Sequence, residues 1–313
     1  MPQHRRRFLQ STLALAAAPA LSIAQPRLVL KAGDQKGGLR ALLEAADALK
    51  GVQYDIQWTE FPAAAPLAEA LNAGAVDLGP IGDAPAIFAL AAGTRIKLIG
   101  ANRSDPYGTV VLVRPDSPLK TAADLKGKSI GTNRGSIGHF VALKALESAG
   151  LGPDDANFRF LPPADAKLAL VNGSIEAWST WEPYTAMAET AKHARVLVNG
   201  RGLWSGLSYL AATDAALAAK RDAMRDFLQR VVRAQVWSYQ HVDNFSATLA
   251  HIIGIAPEAA RLQFARRQTV WRAIDPQLIA EQQRTADFYV KVGLLKQRLE
   301  VATTFDKGFP LIA

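Results

Sequence analysis

Residues 69–89, Glu-Ala-Leu-Asn-Ala-Gly-Ala-Val-Asp-Leu-Gly-Pro-Ile-Gly-Asp-Ala-Pro-Ala-Ile-Phe-Ala, constrain the fold more than any other part of this chain. A helix ending over 68–73 is stopped by Gly74, and residues 75–78 have the length and composition of a strand. Residues 79–82 predict a turn. Asp83 reads as the N-cap of a helix over 84–92, with Pro85 in the first turn, where its missing N–H costs nothing, and Gly93 closing the helix. A helix that starts at a strand end presents N–H groups and the positive end of a dipole. In an open α/β sheet, ligands bind at such ends.

The same alternation runs through the first two thirds of the chain. Strands are predicted over 27–32, 55–59, 109–113, 128–131 and 174–178. Helices are predicted over 39–50, 119–125 with Thr121 as cap, 139–149 ended by Gly150, and 183–190 opened by Pro183. The glycine-rich turn 33–38 and the loop 132–136 each join a strand to a helix. From Asp214 onward, 216–242, 257–268 and 276–292 carry apolar residues at helical spacing. This order predicts an α/β fold of two lobes. The crossings are placed at 109–115 and 206–213, giving a first lobe of 25–112 plus 211–313 and a second of 113–210.

The first 24 residues read as an export signal. Arg5-Arg6-Arg7 is a basic start, 9–18 is an apolar run too short to span a bilayer, and Ser22-Ile23-Ala24 fits a small-x-small cleavage site. Arg5-Arg6-Arg7-Phe8-Leu9-Gln10 resembles the twin-arginine pattern, the alternative being a general secretory signal with an arginine-rich start. Cleavage after Ala24 leaves 289 residues and removes three arginines and no acid, so the net charge falls from +8 to +5. That mild surplus, with no Lys/Arg block, argues against nucleic-acid binding. The chain has no cysteine, which removes disulfides, thiolate metal sites, cysteine nucleophiles and a lipoprotein anchor.

Motifs spaced along nearly the whole chain carry a family resemblance. They are Gly33-Asp-Gln-Lys-Gly37, Trp58-Thr-Glu-Phe-Pro-Ala63, Asp77-Leu-Gly79 with Gly82-Asp83, and Ser117-Pro-Leu-Lys-Thr-Ala-Ala-Asp-Leu-Lys-Gly127. Next come Arg134-Gly-Ser-Ile-Gly-His139, Pro163-Ala-Asp-Ala166, Ala177-Trp-Ser-Thr-Trp-Glu-Pro-Tyr184 and Gln283-Arg-Thr-Ala-Asp287. In this order they resemble the periplasmic substrate-binding proteins of ABC importers, and most closely the aliphatic sulfonate-binding branch of the nitrate/sulfonate/taurine group. Two departures border the expected cleft: Asp34 stands where an aromatic residue is common, and Ile137-Gly138 interrupt a serine-rich loop.

The resemblance implies a bilobed type II periplasmic-binding-protein fold with a hinge of two crossing segments. It also implies delivery of a small anionic ligand, a sulfonate, to a membrane permease with its ATPase. A periplasmic monomer is expected, without cofactor, metal, catalytic residue, nucleic-acid partner or membrane anchor of its own. Nitrate, taurine or a vitamin-precursor heterocycle remain open as ligands. So does an enzyme on the same fold, although the related desulfinases and pyrimidine-precursor synthases bring cysteine-dependent chemistry.

A sulfonate is a tetrahedral anion whose three oxygens only accept hydrogen bonds, so its site needs donors. Three helix starts follow strands, near Gly37, near Gly82-Asp83 and at Gly135-Ser136. Gln35 adds an amide, Ser136 a hydroxyl, His139 an N–H, and Lys36 and Arg134 add charge. Each has a plainer reading: Ser136 and Asp83 as caps, Lys36 and Arg134 as solvated loop cations, His139 as a surface residue. Trp178 and Trp181 read first as core residues; alternation over 174–178 places Glu176 and Trp178 on one face, and Trp178 near the strand end is a candidate to cover an apolar tail. Glu182 is read as a helix-start residue, or as the partner of an amine if the ligand is taurine-like. His193, His241 and His251 have no ligand-like spacing.

Overall fold

The computed structural model describes residues 27–311. The predicted export signal, 1–24, lies outside the described residues. In chain order the elements are β1 (Val29–Gln35), α1 (Leu39–Ala45), β2 (Asp55–Phe61), α2 (Ala64–Asn72), β3 (Leu78–Gly82), α3 (Asp83–Ala91) and β4 (Ile96–Arg103). The second set is β5 (Val110–Val113), β6 (Ser129–Thr132), α4 (Ile137–Ser148), β7 (Asn157–Phe160), α5 (Pro163–Val171), β8 (Ala177–Thr180), α6 (Tyr184–Thr190) and β9 (Arg195–Asn199). The chain ends with β10 (Leu207–Thr213), α7 (Asp214–Gln240), α8 (Val242–Ile253), α9 (Pro257–Arg267), β11 (Val270–Arg272) and α10 (Pro276–Lys291).

Two sheets form, in the orders β11-β4-β10-β3-β1-β2 and β7-β6-β8-β5-β9. Alternation along β10 shows how the first is buried on both sides. Leu207, Tyr209 and Ala211 face one core with α2, α3 and α10, whereas Leu210 and Ala212 face another with α1, α7, α8 and α9. The second sheet is likewise covered by α4 on one face and by α5 and α6 on the other. β1 and β3 are parallel, as are β6 and β8, while β10 and β5 run against their neighbours. The chain leaves the first sheet at Arg103, enters the second at Val110, leaves it at Asn199 and re-enters the first at Leu207. In an open α/β sheet ligands bind at the carboxyl ends of strands, so the ends of β1, β3, β6 and β8 define the candidate groove between the lobes.

Several sequence expectations shift. Residues 79–82, expected as a turn, form β3 itself, paired with β10 from Leu78↔Ala212 to Gly82↔Ser208. Pro80 is tolerated there because β1 pairs with β3 only at Leu78, so no second ladder is interrupted beyond that point. Asp83 is the first helical residue, and Gly82 holds the N-cap position. The expected crossings are strands: 109–115 contains β5 and 206–213 is almost all β10, both apolar and buried, so the links between sheets fall earlier, at 104–109 and 200–206. α1 stops at Ala45, and α8 and β11 had no clear pattern of their own. Thr121 holds the N-cap position of a short 3-10 turn, Ala122–Leu125, but its side chain caps no N–H; instead Asp124 Oδ2 accepts the Thr121 N–H at 2.8 Å.

The lobes touch on both flanks of the groove. On one, α4 packs against α10, with Phe140 edge-on to Phe288 (centroids 5.3 Å apart) and to Tyr289 (5.5 Å). On the other, Arg266 of α9 pairs with Glu182 and Glu189 at and within α6.

Candidate functional site

The loop after β1 carries Gln35, Lys36 and Gly37. Gly37 has φ +75°, and a Cβ there would lie 2.3 Å from Ile253 Cγ2, so α8 packs directly on glycine backbone. Gln35 is half-buried and Lys36 exposed. The start of α1 does not offer the donors the sequence suggested: Asp34 Oδ1 accepts the Leu39 N–H at 3.0 Å and Oδ2 accepts the Arg40 N–H at 2.7 Å. Burial pushes the Asp34 carboxyl up to about 6, against the pull of those backbone bonds.

Asp83, after Gly82, is fully buried. Its Oδ1 accepts the Ala84 N–H at 2.6 Å, and its Oδ2 accepts the Trp204 Nε1–H, also at 2.6 Å, from the segment returning to the first lobe. Its carbonyl accepts from Gln282 Nε2 at 3.1 Å. Desolvation raises this carboxyl to about 7, with the Trp204 bond opposing the rise. Asp83 is thus a junction inside the protein and offers no oxygen to a ligand.

Across the groove, Ser136 caps α4. Its Oγ accepts the His139 N–H at 3.2 Å and donates to the Asn133 carbonyl at 2.7 Å, the structural role weighed in the sequence. Gly135, at φ +71°, would place a Cβ 3.3 Å from Phe88 of α3, so the two lobes meet at this loop. Arg134 is exposed, its guanidinium 3.7 Å from the Phe160 ring centre.

His139 is not a surface residue. It is 2 % exposed, its ring edge-on to Phe158 (5.0 Å) and Phe160 (5.2 Å), and its Nδ1 accepts the Gly135 N–H at 3.3 Å. That bond leaves the ring proton on Nε2. Burial first, and Arg134 second, lower its pKa to about 4, so the ring is neutral at pH 7. It lines a cavity of about 270 Å³ with Leu143, Phe158, Phe160, Val292 and Leu294, a flank of the interlobe contact.

Trp178 does not reach the groove. It is 1 % exposed and packs with Leu112, Leu170, Ile175 and Ala188 beneath α5 and α6. The strand begins at Ala177 rather than Ser174, so the expected pairing of Glu176 with Trp178 fails: Ile175 joins the Trp178 core, and Glu176 Oε2 instead accepts the Ser129 N–H at 2.8 Å. Glu182 is buried, its Oε2 accepting the Ala186 N–H at 2.8 Å and its Oε1 3.4 Å from Arg266, with burial raising its pKa. Three further groups stand at the ends of β6 and β8. Trp181 is half-buried past the end of β8, edge-on to Tyr184 at 5.9 Å. Thr132 and Thr180 end β6 and β8 fully buried, and their hydroxyls have no partner among the described residues. The Trp-x-x-Trp motif flags Trp181 in the sequence, where it reads as core with Trp178, whereas Thr132 and Thr180 carry no sequence signal.

The three carboxylates at these strand ends are therefore all turned inward onto protein donors, and burial raises all three. Near these strand ends stand the half-buried Gln35 amide, the buried Thr132 and Thr180 hydroxyls, and the exposed Lys36 and Arg134, together with the exposed Glu60 at the end of β2, in register with Asp34. Among the described residues no group of three or more His, Asp or Glu could hold a metal ion, and no helix is long and apolar enough to cross a membrane.

Residues 42–254 match the NMT1-like family. The chain belongs to that family. Within it, the chain is 36% identical to a putative aliphatic sulfonates-binding protein of Escherichia coli over 281 residues, 87% of this chain and 86% of that one. The crystal structure of the periplasmic aliphatic sulphonate-binding protein SsuA from Escherichia coli superposes with a TM-score of 0.84 at 30% identity, covering 91% of this chain and 94% of that one. The alkanesulfonate-binding protein SsuA from Xanthomonas axonopodis pv. citri, bound to MOPS, gives 0.83 at 32% identity, over 90% and 99%. The two-sheet architecture of this NMT1-like chain is that of the periplasmic-binding-protein fold.

Proposed function

We propose that this chain is the periplasmic solute-binding component of an ABC importer that captures an organic sulfonate in the interlobe groove and hands it to a membrane permease. The observation that carries this reading is the inward turn of Asp34, Asp83 and Glu182 onto protein donors, with the Gln35 amide and the Lys36 and Arg134 cations on the loops beside them. The likeness to sulfonate-binding proteins supports it. A sulfonate at the Gly135-Ser136 start of α4 faces Arg134, Lys36 and the Gln35 amide; three or four charge-assisted bonds, each worth about 1.5–3 kcal/mol, are ample for micromolar affinity. The segments 104–109 and 200–206 serve as the hinge about which the lobes close. The protein acts without catalysis: the chain has no cysteine with which to run the chemistry of desulfinases.

Taurine fits less well than a simple alkanesulfonate, because Glu182, the expected amine partner, is held by the Ala186 N–H and Arg266. Calorimetric titration with ethanesulfonate, taurine, nitrate and propionate tests the reading. Ethanesulfonate is expected to bind tightest and be recovered unchanged. Tighter binding of propionate or nitrate, or release of sulfite over repeated turnovers, refutes it.

A further inference from the structure

Trp204 lies in the segment that returns from β9 to β10, and its indole N–H donates to Asp83 Oδ2 at 2.6 Å. Asp83 opens α3 at the groove. A single hydrogen bond therefore ties the wall of the groove to the link on which the second lobe turns. Asp83 is also fixed by the Ala84 N–H and, through its carbonyl, by Gln282, whose Oε1 in turn accepts the Tyr209 hydroxyl at 2.9 Å. We infer that Asp83 and Trp204 form a proton-linked latch: capture of an anion at the groove is coupled to proton uptake by Asp83 and, through Trp204, to the hinge.

The coupling follows from burial and sign. Asp83 is fully buried with no cation bonded to it; the groups facing it are the phenols Tyr209 of β10 and Tyr289 of α10, the Gln282 amide and the Trp204 indole. Arg103 and Glu281, which act on the Tyr209 hydroxyl, are paired with each other at 2.6 Å. Desolvation already places the titration of Asp83 at about 7. An anion at the Gly135-Ser136 start of α4, beside Phe88 of the helix that Asp83 opens, is a like charge that disfavours the carboxylate further, so binding draws in a proton and affinity falls as pH rises. Tyr289, buried in α10, lies within electrostatic reach of the same carboxyl. Trp204 acts through Asp83 as a positioning residue: its N–H stabilises the ionised form, so its loss must move the titration upward.

This inference rests on anion capture in the groove, and the experiment separates the two. Ethanesulfonate is ionised throughout, so any pH dependence belongs to the protein. Titration calorimetry from pH 6 to 9, in buffers of different ionisation enthalpy, is expected to show net proton uptake near neutrality and roughly tenfold weaker binding at the alkaline end for each unit by which the anion raises Asp83. Asp83→Asn should abolish the uptake, and Trp204→Phe should shift the pH midpoint of affinity upward. In the ligand-free protein, the emission assigned to Trp204 by difference from W204F should titrate near pH 7 and lose that step in D83N. Uptake unchanged in D83N, or an unshifted midpoint in W204F, overturns the latch. If ethanesulfonate fails to bind at any pH, the sulfonate reading and the coupling both fall. The ligand-free emission step then still decides whether Asp83 and Trp204 titrate together; its absence overturns the latch on its own.

Discussion

The two tryptophans of the Ala-Trp-Ser-Thr-Trp run differ in burial, and on the proposed function only the second is placed to meet a ligand. Trp178, 1 % exposed, fills the space between the second sheet and α5 and α6; Trp181, three residues on, is half-buried at the groove. Truncating a buried tryptophan to alanine removes its transfer energy and leaves a cavity, together about 3–5 kcal/mol. For a chain of this size that lowers the Tm by on the order of 10 °C. Trp178→Ala should therefore lose stability, while whatever folded protein remains binds methanesulfonate and longer sulfonates with the same ratio of affinities as the parent. Trp181→Ala should do the reverse. Stability should change by less than about 1 kcal/mol, and affinity should fall more for longer tails, at about 25 cal/mol for each Å² of tail left uncovered. Some 40 Å² corresponds to about 1 kcal/mol, roughly fivefold in Kd. Urea unfolding and calorimetry with a methane-, butane- and octanesulfonate series measure both quantities. A Trp178→Ala protein as stable as the parent, with its loss confined to long sulfonates, would refute the assignment of that indole to the core.

The remaining predictions concern pH and packing. His139 is held neutral with its pKa lowered to about 4, against 6.5 when unfolded, so the unfolded chain binds more protons in between. Its contribution is present above pH 6.5 and lost as pH falls from 6.5 towards 4; His139→Leu should flatten that part of the stability–pH curve, and an unaltered slope in urea unfolding counts against it. At Gly37 a methyl group meets φ +75° and Ile253 Cγ2 at 2.3 Å, so Gly37→Ala should destabilise by about 2–3 kcal/mol. Adding Ile253→Ala should recover the packing share but not the backbone share, which denaturant midpoints of the double variant will show.

Much of this protein is legible along the chain because its causes are local. Ser136 three residues before the His139 N–H, Thr121 three before Asp124, and Gly135 at a turn are set by neighbours in sequence, and each stands where the pattern places it. The alternation of strand and helix that put Gln35, Gly82, Gly135 and Glu182 at strand ends is likewise a property of hydrophobic period and turn chemistry. What escaped the sequence depends on partners far away. Residues 79–82 look like a turn until β10, more than a hundred residues later, pairs with them. Trp178 is core because α5 and α6 close over it, and His139 is buried because β7 brings up Phe158 and Phe160. The carboxylates tell the same story. Composition alone makes Asp83 and Glu182 negative charges at a groove meant for an anion. Only the tertiary structure brings Trp204 to the one and Arg266 to the other, because burial and long-range hydrogen bonds, rather than residue type, decide where a charge points and whether it is carried at all.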